Sequence, residues 1–189
     1  IKILFIGENI IPDFNLYDYA MGFHYIEFED RYLRLPLYVL YHMERPLATL
    51  KHTFSDDYYL AKKKFCNYVI SNPYAAGERD RMAELLNEYQ TIDSGGKYRN
   101  NVGGPVEDKI AFEKNYRFTM AFENSKMSGY TTEKILEAFA GDTIPIYWGS
   151  YNRPELDVLN LDSIIMWSYD SKSIYNQVSE LVNNQNLLN

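Results

Sequence analysis

The fold of this chain is decided by residues 116–150, YRFTMAFENSKMSGYTTEKILEAFAGDTIPIYWGS. The stretch opens with a short apolar run, residues 118–122, and closes with a second, residues 143–148. A polar loop and a helix with one apolar face separate the two runs. Strand, loop, helix and strand in this order form the βαβ unit of a parallel sheet. We therefore expect an α/β fold whose ligand site lies at the carboxyl end of the first strand.

Polar side chains cluster where that site is expected. They follow the first strand or begin the helix, and they are Glu123, Asn124, Tyr130, Glu133 and Lys134. An anionic ligand placed there meets the unpaired N–H groups of the helix start. Glu133 and Lys134 are also a common surface pair, but at the first turn of a helix both can reach a ligand beyond its end.

The sequence of residues 122–150 closely resembles the signature of the α1,3/α1,4-fucosyltransferases, glycosyltransferase family 10, and most of all that of the bacterial members. FENS, GYxTEK and IPIYWG occur here in the family's order. GEN at residues 7–9, PDFNLYDYAMGF at 12–23 and DRYLRLPLY at 30–38 are similar to bacterial family segments as well. The resemblance covers nearly the whole chain.

The resemblance implies a GT-B type α/β fold with two Rossmann-like domains. Residues 1–60 would be the remaining part of the N-terminal, acceptor-side domain, and residues 61–189 the C-terminal donor-binding domain. We place the hinge at residues 53–64, where no apolar periodicity is readable, and expect most of the first domain to be absent. Residues 1–7 predict a buried parallel strand.

Further elements follow from the spacing of apolar residues. We expect strands at 67–71, 91–93 and 161–167, and helices at 78–89, 107–115 and 171–188. Residues 62–64 are three lysines, which usually form a solvated face. The three histidines lack metal-ligand spacing and are interpreted as surface or packing residues; they are His24, His42 and His52.

Composition restricts the function classes. The net charge of −7 argues against a nucleic-acid partner, since phosphate backbones need a basic face. One cysteine, Cys66, excludes an internal disulfide and favours a reducing compartment. No run of 18 apolar residues is present. We expect a cytoplasmic protein, or one peripheral at the inner face of a bacterial membrane; its oligomeric state is not readable.

The general base is expected at Glu8. A carboxylate just past a strand is by position either a helix cap or a catalytic group, and the resemblance favours the base. It also implies that Lys134 and an arginine at the helix start bind the donor diphosphate. Arg79 matches that arginine if one residue is inserted in the preceding loop, and Arg81 stays an alternative.

The remaining donor contacts are implied by the resemblance. Glu133 holds ribose or fucose hydroxyls, or faces the positive charge that develops on the sugar. Asn124 and Tyr130 are polar contacts, and Arg99 lies in the glycine-rich loop of residues 94–104. No two aspartates lie two apart, so the sequence lacks an Asp-x-Asp metal motif. We expect no metal and no cofactor beyond the donor.

The residues and the resemblance together indicate a fucosyltransferase. Its expected reaction is the inverting, metal-independent transfer of L-fucose from GDP-fucose to O3 or O4 of N-acetylglucosamine in a glycan acceptor. Two alternatives stay open. One is a GT-B glycosyltransferase that uses a different nucleotide sugar, and the other is a non-catalytic module that binds a nucleotide or a glycan.

Overall fold

The computed structural model describes residues 1–44, 56–74, 77–151, 154–167 and 171–183, in which the chain forms two parallel sheets. The first sheet has the order β1 (Ile3–Phe5), β2 (Tyr19–Gly22), β3 (Tyr32–Arg34). The second has the order β5-β4-β6-β7-β8, with β4 (Lys64–Tyr68), β5 (Ile92–Ser94), β6 (Tyr116–Phe122), β7 (Ile144–Trp148) and β8 (Ile165–Met166). The helices are α1 (Leu37–Glu44), α2 (Asp56–Ala61), α3 (Glu78–Tyr89), α4 (Lys109–Glu113), α5 (Lys134–Ala140) and α6 (Ser171–Asn183).

The predicted βαβ unit is β6, α5 and β7. β6 and β7 pair in parallel, from Phe118 opposite Ile144 to Phe122 opposite Trp148. Alternate side chains of these strands enter two different cores, because a strand points successive residues to opposite faces. One core contains the apolar stripes of α3 and α6, and the other contains α5. The second sheet is therefore covered on both faces.

Several predicted elements are confirmed, with shifts at their ends. The helix at 78–89 is confirmed as α3, whose Met82 and Leu86 are fully buried. The strand expected at 67–71 begins earlier, at Lys64, and ends at Tyr68. The helix expected at 107–115 is shorter, at Lys109–Glu113. The helix expected at 171–188 is confirmed over Ser171–Asn183, and residues 184–189 lie outside the described residues.

The strand predicted at 161–167 is wrong over its first half. Leu161–Ser163 form a 3₁₀ turn, and only Ile165–Met166 pair with β7. The Asn160 side chain accepts a hydrogen bond from the Asp162 amide, which closes the turn before the strand begins. An asparagine that caps a turn outweighs the apolar run that follows it.

The first strand is parallel as predicted, but it is not buried. Ile3 and Phe5 are 60% and 47% exposed, whereas Ile6 just after the strand is buried. β1 is an edge strand of the first sheet, paired with β2, and the face that carries Ile3 and Phe5 is largely open to solvent. The apolar run thus predicts the strand and its parallel pairing correctly, and its burial incorrectly.

The lysine triplet is not uniformly solvated either. Lys63 and Lys64 are exposed, but Lys62 is buried. Its ammonium donates to the main-chain carbonyl oxygens of Gly141 and Asp142, in the turn that precedes β7. Those carbonyls satisfy the charged group, which allows a lysine to enter the interior.

The structure describes only some of the residues for which a histidine role or a hinge was predicted. His24 is a buried packing residue, and burial lowers the pKa of its imidazole. His42 lies in α1, and His52 lies outside the described residues. Of the expected hinge, residues 53–55 lie outside them as well, and residues 56–61 form α2.

Candidate functional site

A buried carboxylate organises the carboxyl end of β6. Glu123 is fully buried, and both of its oxygens accept hydrogen bonds from Thr132, at 2.7 Å from the amide and 2.6 Å from the hydroxyl. A Cβ on Gly149 would lie 2.3 Å from the Glu123 side chain, so only glycine fits beside it. Burial raises the pKa of Glu123, while Lys134 and the bonds from Thr132 oppose that rise. Glu123 thereby fixes the loop that leads into α5.

Lys134 reaches back over this loop from the first turn of α5. Its Nζ lies 3.2 Å from Glu123 Oε2, 2.9 Å from Thr132 Oγ1 and 3.6 Å from Glu133 Oε1. Burial lowers the pKa of this lysine, but the carboxylates of Glu123 and Glu133 outweigh burial, and the net pKa is raised. The ammonium is therefore charged, held in place and 19% exposed, as expected of a group that meets an anion.

Glu8 lies beside the same loop. Its Oε2 accepts a 2.7 Å hydrogen bond from the Tyr130 hydroxyl, and Asn9 donates to Ser125 at 2.9 Å. In the part of the chain that the structure describes, the second Glu8 oxygen has no hydrogen-bond partner. Burial and the Glu8 carboxylate both raise the pKa of Tyr130, which keeps its proton on the shared bond. The carboxylate is exposed and oriented, and one oxygen is open to an acceptor.

Arg79 lies at the start of α3, at the carboxyl end of β4, which neighbours β6 in the sheet. Its guanidinium is buried and donates to the Asn72 carbonyl at 2.7 Å, but its Nε is unpaired and within the described residues no carboxylate forms an ion pair with it. Burial lowers the pKa of Arg79. A buried cation without a carboxylate is costly unless an anion joins it. Arg81, the alternative, is exposed.

The structure shows no contact of Arg99 or Asn124, among the described residues, with Lys134 or Glu8. Arg99 is exposed, and its guanidinium pairs with Asp80 at 3.3 Å and Glu84 at 3.5 Å on α3. Asn124 follows Glu123 and is half-buried. Their predicted donor contacts stay predictions. In the glycine-rich loop, a Cβ on Gly96 would overlap the Ile70 carbonyl, so this glycine permits a close approach to the β4 exit.

An ion pair that the sequence analysis missed joins the two sheets. Arg34 of β3 contacts both oxygens of the buried Glu155, at 2.7 and 3.1 Å, and Tyr38 donates to the same carboxylate. The guanidinium also donates to the carbonyls of Phe23 and Gly129. Arg34 thus contacts the residue just before Tyr130. The partners are 121 residues apart in sequence, so no local spacing could reveal them.

The described residues contain neither a metal-binding cluster nor a membrane-spanning helix. No group of three or more histidine, cysteine, aspartate or glutamate side chains there is arranged to hold a metal ion. None of the described helices is both long enough and apolar enough to cross a membrane.

Comparison with known proteins identifies the family. The model of the glycosyltransferase family 10 (fucosyltransferase) C-terminal domain matches residues 59–188, and that of the α-(1,3)-fucosyltransferase FucT N-terminal domain matches residues 1–41. The chain belongs to glycosyltransferase family 10. Over 179 residues it is 36% identical to the α-(1,3)-fucosyltransferase FucT of Helicobacter pylori, covering 79% of this chain and 37% of that protein. A putative fucosyltransferase of Acanthamoeba polyphaga mimivirus is 34% identical over 57% of the chain and 19% of its own length.

Solved structures agree with the fold. A crystal structure of α1,3-fucosyltransferase with GDP-fucose matches 98% of this chain with a TM-score of 0.83 and 31% identity, and one with GDP matches equally well. The family 10 chain spans 63% of those structures and just over a third of the Helicobacter pylori protein. The predicted α/β, GT-B type fold is thereby confirmed, for a chain that covers part of the enzyme.

Proposed function

We propose that the protein transfers L-fucose from GDP-fucose to O3 or O4 of N-acetylglucosamine in an oligosaccharide acceptor. The similar α-(1,3)-fucosyltransferase of Helicobacter pylori and the GDP-fucose bound in a matching structure support the donor. The observation that carries the proposal is the hydrogen bond between Glu8 and Tyr130. It sets an exposed carboxylate against the loop that, in this family fold, belongs to the donor side.

The chemistry proposed is an inverting displacement. Glu8 accepts the proton of the acceptor hydroxyl while that oxygen bonds to the anomeric carbon of fucose. The bond from that carbon to the diphosphate breaks, and its electron pair leaves with GDP. Lys134 and Arg79 lie near the carboxyl edge of the second sheet and stabilise the charge on the leaving diphosphate. Such a clamp requires no metal, and we propose that none takes part.

The other donor contacts are proposed for Glu133, Asn124, Tyr130 and Arg99. Glu133 Oε1 lies 3.6 Å from Lys134 Nζ, and its proposed partners are the hydroxyls of the sugar or the ribose. Arg99 must leave its pairs with α3 to reach a phosphate, so we expect it to contribute least. We further propose that the protein works on the cytoplasmic side of the cell, either free or peripheral to the membrane.

Titration calorimetry of the full-length protein with GDP, UDP and GDP-fucose, with EDTA present, tests the donor. Selective binding of GDP supports the proposal. Preference for UDP would indicate another nucleotide sugar, and a requirement for a divalent ion would contradict the metal-free clamp.

Glu8→Gln tests the base. Transfer should fall by about 10²–10⁴-fold while GDP-fucose affinity is nearly unchanged, because glutamine keeps the shape but accepts no proton. Glu107→Gln, at an exposed glutamate with the same charge change, is the control. Unchanged turnover in Glu8→Gln would remove Glu8 as the base, and binding without transfer or hydrolysis in the wild type would indicate a non-catalytic module.

A further inference from the structure

A pocket lies at the opposite end of the sheet from the candidate site. It has a volume of about 460 Å³, within the range of small-molecule sites. We call it the lysine pocket, and its lining is Tyr58, Ala61, Lys62, Lys63, Lys64, Lys114 and Asn115. These residues end α2 and begin β4, or precede β6, whereas Glu123 follows β6. The length of β6, about 20 Å at 3.3 Å per residue, separates the two sites.

The lining of the lysine pocket is strongly cationic. It contains four ammonium groups and no carboxylate, in a protein whose net charge is −7. Lys64 is already engaged, since its Nζ lies 3.0 Å from both Asp93 Oδ2 and the Tyr116 hydroxyl. Like charges gathered in one pocket repel one another. The free energy of the arrangement therefore favours a bound anion.

Lys62 forms the buried wall of the pocket. Two main-chain carbonyls accept from its ammonium, and the ring of Tyr58 lies 5.4 Å away. Burial is the main cause that lowers the pKa of Lys62 to about 8; Asp142 opposes this lowering, and the positive charge of Lys114 adds to it. The ammonium has three N–H donors, so one remains after the two carbonyls.

Lys63 and Lys114 supply the free charges. Both are exposed, and in residues 1–44, 56–74, 77–151, 154–167 and 171–183 neither side-chain ammonium has an ion-pair or hydrogen-bond partner. They approach the pocket from different segments, one before β4 and the other before β6. Two lysines that converge on a third suit an anion with more than one negative oxygen, since each ammonium binds phosphate as a point charge.

We propose that the lysine pocket binds a phosphate-bearing anion, through Lys63 and Lys114 with Lys62 behind them. The anion is either a soluble phosphate compound or the headgroup of an anionic phospholipid, because both present the same oxygens. This site is separate from the donor site, and its existence does not depend on the fucosyltransferase function.

The test uses the full-length protein without nucleotide, because GDP is itself a phosphate-bearing anion. Binding that is lost in the lysine variant belongs to the lysine pocket, and binding that it retains belongs to the donor site. Pyrophosphate titration probes the soluble source, and co-sedimentation with vesicles of phosphatidylcholine, with or without phosphatidylglycerol, probes the lipid source. The variant is Lys63→Gln/Lys114→Gln, at two exposed residues that the fold does not need. Lys2→Gln, an exposed lysine of the first sheet, is the matched control.

We expect wild type to bind pyrophosphate or the phosphatidylglycerol vesicles, and the double variant to bind about 30-fold more weakly, roughly fivefold per lysine. Binding to pyrophosphate identifies a soluble ligand, and binding confined to the vesicles identifies a lipid headgroup. Lys2→Gln should bind as wild type does. The proposal is wrong if neither probe binds to wild type. It is also wrong if Lys2→Gln weakens binding as much per lysine removed as Lys63→Gln/Lys114→Gln does.

Discussion

The ion pair between Arg34 and Glu155 gives the sharpest prediction. Glu155→Gln keeps the shape of the side chain and one acceptor oxygen, but it removes the charge that the Arg34 guanidinium meets at 2.7 Å. Breaking a buried pair costs about 3–5 kcal/mol. Arg34 is 23% exposed and retains its bonds to Phe23 and Gly129. We therefore expect a smaller loss, about 2 kcal/mol, or roughly one charged hydrogen bond.

Urea and thermal unfolding of the full-length protein measure this loss. For a protein of this size, 2 kcal/mol corresponds to a fall of about 4–8 °C in Tm. Arg34→Gln and the double variant Arg34→Gln/Glu155→Gln complete the cycle. Because each single variant leaves a partner unpaired, the double variant should lose at least 1 kcal/mol less than the sum of the two, on the order expected for contacting residues. Additivity within about 0.5 kcal/mol would refute the reasoning.

Two further predictions concern Glu113 of α4 and Gly129 in the loop between β6 and α5. Burial raises the pKa of Glu113 to about 7 from an ordinary 4.5, against the opposing charge of Lys109. Between about pH 4.5 and 7 the folded state therefore holds a proton that the unfolded chain releases, and the free energy of unfolding falls as the pH rises. Urea unfolding at pH 5 and at pH 8 measures this fall. In Glu113→Gln, which cannot titrate, the difference between the two pH values should be smaller than in wild type by about 2–3 kcal/mol. Gly129→Ala should reduce turnover more than Gly103→Ala: both glycines have positive φ, but only at Gly129 would a Cβ meet a carbonyl, that of Phe23 at 2.5 Å. Equal effects of the two alanines would contradict this steric argument.

Much of the fold follows from local pattern. The stripe of α3 and the two apolar runs around α5 have the periods of a helix and of buried strands, so residues 78–89 and 116–150 could be predicted from sequence. The burial of β1 could not, because it depends on what covers the sheet face. The turn at Leu161–Ser163 depends on one asparagine side chain, which apolar periodicity does not register.

The candidate site divides in the same way. Glu8, Tyr130 and Lys134 were expected from motif resemblance, and the structure brings Glu8 into contact with Tyr130. The buried Lys62 and the pair of Arg34 with Glu155 were not expected. A lysine between two others is solvated by default, and only the carbonyls that close the turn before β7 change that outcome. Contacts across more than a hundred residues leave no local signal.

The bond that joins Tyr130 to Glu8 has a kinetic consequence. Any ligand that displaces the Tyr130 loop on entering also displaces the carboxylate that its hydroxyl holds. Under the proposed mechanism, the position of the base therefore depends on whether the nucleotide sugar is bound. We expect such a dependence to give a compulsory order of addition, with the donor first.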